Sequence, residues 1–253
     1  MRSRKARGTS SIVFAAVLLI VACASGPLIR HKHEYNLSPG QEHHAGLATA
    51  LLIPIDYTNE KPVKGLDLAN DRITALIVSH LESKGIKVEK AAPGEFKRIA
   101  DAAHETVREE RKSGASGVVS AEVEFGDVVP TILEELEKPV DLVIVPNIVM
   151  RTGIYQGTRT LVWDGVRRRE SAQDLDFSNY GTQPVASIQM TIFSKDGTQV
   201  FSGFGGLEAV FKVDRSAEAW VQREDLFKDE RNLREGICIA FYPYFGMNEF
   251  CAR

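Results

Sequence analysis

Val140-Asp141-Leu142-Val143-Ile144-Val145-Pro146-Asn147-Ile148-Val149-Met150 is the most apolar stretch beyond the first two dozen residues, and its reading decides the fold. Apolar side chains fall on both alternating faces, which predicts a central strand covered by helices on each side. Downstream, residues 158–169 and 185–194 read as further strands. In the second, Ala186, Ile188, Met190 and Ile192 alternate with Gln189 and Thr191. Asp196-Gly197 signals a hairpin leading into a strand from Gln199 to Phe211. A helix from Asp229 to Tyr242 would bury Leu233, Ile237, Ala240 and Phe241. Upstream, Leu51-Leu52-Ile53-Pro54-Ile55 forms a short apolar strand, and Leu66, Ala69, Ile73, Leu76, Ile77 and Leu81 recur at helical spacing before Gly85. Residues 86–90 give a second strand, and Phe96, Ile99, Ala103 and Val107 mark one face of a helix starting at Pro93. A loop over 113–126 precedes a short helix capped by Asp127. The expectation is an α/β (α+β) domain over 47–253. It has a β-α-β-α opening, then antiparallel hairpins, in a mixed sheet of about five to six strands flanked by helices and ending in a helix.

The N-terminus carries an address. Arg2, Arg4, Lys5 and Arg7 precede an eleven-residue apolar run from Ile12 to Ala22, too short to span a bilayer, and Cys23 follows where that run stops. Residues 1–22 read as a lipoprotein signal peptide, with Cys23 the acylated residue that becomes the new N-terminus. Two or more acyl chains anchor stably where a single chain is marginal. Ala24 in place of an aspartate resembles lipoproteins sent to the outer membrane, so the expected location is its periplasmic face. Residues 23–46, interrupted by Ser25, Gly26, Pro27, Ser38, Pro39, Gly40 and Gly46, read as the lipidated cysteine and a flexible tether. His31, His33, His43 and His44 lie there as weak metal-ligand candidates, with a solvated polar linker as the alternative.

After residue 22 the chain has 27 basic and 34 acidic residues, a charge of about −7 that disfavours nucleic acid as a partner. Only Cys238 and Cys251 remain as thiols, a candidate disulfide in an oxidising compartment. Two separate, partly buried thiols are the alternative. No G-x-S-x-G, H-E-x-x-H or P-loop string occurs. Gly203-Phe204-Gly205-Gly206 opens no helix and points to a bulge or a close backbone approach. Trp163 and Asp164, with Tyr155 nearby, could line a glycan groove, against the alternative of a packed indole and an Asp-Gly turn. Arg167 and Arg169 share one strand face, suited to anionic headgroups or an acidic partner, or else a solvated edge. His80 and His104 read as helix-surface histidines. No cofactor is indicated.

The strings LLIPIDYTNE (51–60), SKGIKVEK (83–90) and VDLVIVPNIV (140–149) resemble a group of envelope lipoproteins. That group includes activators of penicillin-binding proteins, the curli secretion lipoprotein and the N-terminal domain of the Tol-system propeller protein. TLVWDGV (160–166), IFSKDGTQVFSGFGG (192–206) and EDLFKDERNLREGI (224–237) are similar to a family of uncharacterised bacterial lipoproteins. The lipid anchor, the flexible tether and the absence of a catalytic constellation point to a non-enzymatic adaptor for an envelope protein complex, and the resemblance to envelope lipoproteins accords with that. The resemblance does not extend to a secretion pore, because every long strand here is needed for the core sheet. A small-molecule or glycan binder, or at the extreme a weak hydrolase, is the alternative. A concave cleft of convergent polar groups would favour the binder, and a flat apolar patch the adaptor.

Overall fold

The structure, a computed structural model, describes residues 32–39, 48–55, 69–114, 123–157, 159–169, 181–214 and 219–252. It contains a mixed sheet of eight strands with helices on both faces. The elements in chain order are β1 (Tyr35–Leu37), β2 (Thr49–Leu52), α1 (Asn70–Glu82), β3 (Lys87–Lys90), α2 (Pro93–Gly114), α3 (Phe125–Glu135), β4 (Leu142–Tyr155), β5 (Thr160–Trp163) and β6 (Val166–Arg169). They continue with β7 (Thr182–Ser194), β8 (Gln199–Ala209), β9 (Phe211–Asp214), β10 (Ala219–Gln222), α4 (Glu230–Phe241) and α5 (Glu249–Ala252). The sheet runs β1-β8-β7-β4-β2-β3, with the β5–β6 hairpin attached to the far end of β4, and β9 and β10 form a separate ribbon. The pairs β2–β3 and β2–β4 are parallel and the others antiparallel.

The apolar stretch at 142–150 is the central strand that its composition predicts. Leu142, Ile144 and Ile148 point into one apolar cluster with α1 and α4, while Val143 and Val145 point into another with α2 and α3. Thirteen of its fourteen residues, Leu142 to Ile154, pair with β7. The capping signals are read out locally. Asp229 accepts from the amides of Arg231 and Asn232 at the start of α4. At α3 the cap is Glu124, not Asp127. Asp127 sits three residues in and accepts from the Glu124 amide at 2.7 Å, completing a capping box.

The glycine run in β8 divides its work between the two faces. A Cβ on Gly205 would lie 1.9 Å from the Gly236 oxygen of α4, and one on Gly203 would lie 2.5 Å from the Ala240 oxygen. The helix therefore rests backbone to backbone on the strand, the close approach expected of that string. On the opposite face Gly206 leaves room for the Trp163 indole.

Two differences from the sequence reading concern the sheet's edges. The segment read as a tether contributes β1: Tyr35, Asn36 and Leu37 pair with Gly203, Ser202 and Phe201, and the Ser38 amide donates to the Val200 oxygen. The outer edge of β8 exposes unpaired N–H and C=O groups, and three extended residues suffice to satisfy them whatever their polarity. The sheet is also larger than five to six strands. The run 158–169 is not one strand but the hairpin β5–β6, turned at Asp164 (φ +32°) and Gly165 (φ +82°).

Candidate functional site

Beside the start of α3, the second face of the sheet carries polar side chains. Asn147 on β4 lies opposite Gln189 on β7, which lies opposite Phe204 on β8. Thr191 and Phe193 continue the β7 row toward the Asp196–Thr198 turn, and the start of α3 forms the facing wall. Together they enclose a cleft of about 610 Å³ lined by Glu124, Phe125, Asp127, Asn147, Gln189, Thr191 and the 196–199 turn. Two glycines make the wall possible. A Cβ on Gly126 would fall 2.6 Å from the Gly197 oxygen, and one on Gly197 (φ +83°) would fall 2.1 Å from the Gly126 oxygen. The Phe125 and Phe193 rings, 5.5 Å apart and tilted, form the apolar end. The Asp196 carboxylate is held below its ordinary range by the Ser194 hydroxyl and the Thr198 amide, so it presents a fixed negative charge at the rim.

At the other end of this row Arg151 organises a charged cluster. Its Nε and Nη2 donate to the two oxygens of Asp164 at 3.2 Å each, and Nη2 also reaches Glu34 at 2.8 Å. The guanidinium lies 4.4 Å over the Phe204 ring. Asp164 is 8 % exposed and also accepts from Ser187 Oγ at 2.6 Å. The bidentate pair and the hydroxyl satisfy a carboxylate that would otherwise be costly to bury. The hydrogen bond and charge of Arg151 lower the pKa of Glu34 in turn.

The structure separates the residues proposed from sequence. Trp163 and Asp164 share one buried turn. Trp163 is 3 % exposed and its indole N–H donates to the Ala186 oxygen at 3.3 Å, so it has no free face for a sugar, and the groove expected beside it lies instead at α3. Tyr155 donates its hydroxyl to Gln183 at 2.6 Å. Arg167 and Arg169 are exposed, with Arg159 and Thr160 around a hollow of about 550 Å³, which the half-buried Arg168 also borders while pairing with Glu235. His33 stacks on Tyr35 and places Nε2 3.2 Å from the Tyr242 oxygen, a structural position rather than an open ligand. Cys23, His31, His43 and His44 lie outside the described residues.

Cys238 and Cys251 are joined, with Cα atoms 5.8 Å apart, and His80 lies against them. His80 is not a surface residue. It is fully buried, stacks on Phe241, and has Nδ1 3.7 and 3.8 Å from the two sulfurs. Burial, with the Lys84 charge, pushes its pKa down to about 3. The three side chains place their ligand atoms within 4.8 Å of one another, but sulfurs tied in a disulfide are not thiolate ligands. Arg151, which sequence reasoning missed, had one signal: it is the only charge in the fourteen residues of β4.

No protein-family model matches the chain, and no curated protein matches it. Among solved structures it is similar to a neuraminyllactose-binding hemagglutinin homolog from Helicobacter pylori. The identity is 11 % over 81 % of this chain and 86 % of that one, with a TM-score of 0.28, a level at which nothing is carried from one protein to the other.

Proposed function

We propose that this chain is a non-enzymatic, lipid-anchored lipoprotein of the periplasmic face of the outer membrane, whose cleft binds a polyhydroxylated ligand such as an envelope glycan. The observation that carries this reading is the make-up of the cleft. Two amides, a threonine hydroxyl and carboxylates converge beside the Phe125–Phe193 pair. Such groups complement sugar hydroxyls, and ring faces complement sugar C–H surfaces. Among the described residues no histidine or cysteine lines the cleft, and the one buried serine nearby, Ser187, is engaged by Asp164. A concave polar cleft supports a binder over an adaptor docking through a flat apolar face. The N-terminal basic stretch, apolar run and Cys23 support the anchor.

Calorimetric titration of the protein with soluble peptidoglycan fragments and with cell-surface oligosaccharides tests the proposal. Saturable binding should weaken about tenfold or more in Gln189→Ala, which removes a directed hydrogen-bonding group. Its circular dichroism and melting should stay like those of the parent. Absence of saturable binding, or binding indifferent to Gln189, would overturn it.

A further inference from the structure

The β5–β6 hairpin stands apart from the rest of this acidic chain. Arg159, Arg167 and Arg169 are all exposed around a hollow of about 550 Å³, and none pairs with an acid among the described residues. Arg168, which also borders the hollow, gives one nitrogen to Glu235 and keeps Nε and Nη2 without a partner. The same sheet face bears unusual apolar exposure. Ile154 lies directly opposite Val162, and Val162 directly opposite Arg167. Ile154 is 52 % exposed, and Met150, two same-face positions back along β4, is 47 % exposed. With Tyr35 these are the exposed large apolar side chains of the described residues. Aliphatic side chains protruding beside arginines are the make-up of a surface that enters a headgroup layer.

The path of the chain supplies a second, independent argument. The described fold begins at Lys32, itself exposed, whose carbonyl accepts from the Gly165 amide at the turn of this same hairpin, at 3.4 Å. Eight residues lie between Cys23 and Lys32, which makes nine Cα-to-Cα steps. At full extension they reach about 30 Å. A lipid on Cys23 therefore holds the hairpin turn within that distance of the bilayer.

We propose that the β5–β6 hairpin is a membrane-contact surface. Arg159, Arg167 and Arg169 engage the phosphates of anionic phospholipids, and Ile154 and Met150 enter the interface. The location rests on the acylated Cys23 of the proposed function, while the surface chemistry stands on the hairpin alone.

Phenylglyoxal footprinting of the lipidated protein in vesicles tests the surface, read by mass spectrometry at each arginine. Exposed Arg231 in α4 is the internal control. Vesicles of phosphatidylethanolamine with about 30 % phosphatidylglycerol are compared with phosphatidylcholine alone. Modification of Arg167 and Arg169 should slow roughly fivefold in the anionic vesicles, the factor expected for one arginine near a charged surface. The protection should vanish at about 0.5 M salt and shrink in Ile154→Ser, with Arg231 unchanged. Equal rates in both vesicles would overturn the proposal. So would equal protection by inorganic phosphate in phosphatidylcholine, which would mark a free-anion site, or protection only after envelope proteins are added, which would mark an acidic partner. The mass of the N-terminal fragment reports separately on Cys23. Protection in a protein without acyl chains would support the hairpin surface and overturn the anchor. Acyl chains without protection would do the reverse.

Discussion

His80 shows how one buried ring shapes the response to acid. Its neutral form is favoured because it lies fully buried among Phe241, Phe250 and the disulfide, with Lys84 adding repulsion. In the unfolded chain it takes a proton near 6.5, whereas the folded pKa is about 3. The unfolded state thus binds more protons as pH falls through this window, and folding stability is lost progressively from about pH 6.5 downward. His80→Phe, which keeps an aromatic ring on Phe241, should remove that loss. In urea titrations from pH 7 to pH 4 the variant's midpoint should fall less steeply than the parent's. Parallel curves would show that His80 does not govern the acid limb. The position was readable in principle, since residue 80 is three beyond Ile77 and seven beyond Ile73 and so falls on the apolar stripe of α1.

Elements were legible where pattern and local chemistry agree, and illegible where tertiary contact alone decides. The double-sided apolarity of β4 and the Asp196-Gly197 turn each carry their own signal, and each appears where expected. Strand β1 has none: Tyr35-Asn36-Leu37 is only three residues long and soon followed by Pro39-Gly40, and it is extended because β8 offers an edge. The cleft was equally silent. Its wall depends on two glycines, 126 and 197, meeting from elements far apart in sequence. The β8–α4 contact gives a sharper test. Gly205→Ala drives a methyl to 1.9 Å from the Gly236 oxygen, where backbone must move, and should cost about 3 kcal/mol or more. Gly85→Ala has open space and only its φ of +80° to strain, so it should cost nearer 1 kcal/mol. Chemical denaturation of the two variants compares them directly. Similar losses would show that α4 can lift from β8 at little cost.

At the scale of the whole molecule, Cys238 on α4 and Cys251 on α5 close the C-terminal end over His80 of α1. Their thirteen-residue separation predicts a contribution of about 3 kcal/mol from restricting the unfolded chain. Reduction, or Cys251→Ala, should lower the urea midpoint accordingly, and amides of residues 243–252 should become the fastest to exchange in that region. An unchanged midpoint would mean that packing of Phe241, Tyr244 and Phe245 alone holds this end. The other terminus behaves differently under force. Any pull arriving along the N-terminal segment meets the Lys32–Gly165 and His33–Tyr242 contacts and the Glu34–Arg151 pair, and then β1, held by three residue pairs and the flanking backbone bonds of Glu34 and Ser38. Peeling it away would release residues 32–39, about 27 Å of contour, before the core strands were disturbed. With the proposed lipid on Cys23 as the point of attachment, the edge strand would serve as a mechanical fuse, letting the domain move away and re-dock without unfolding.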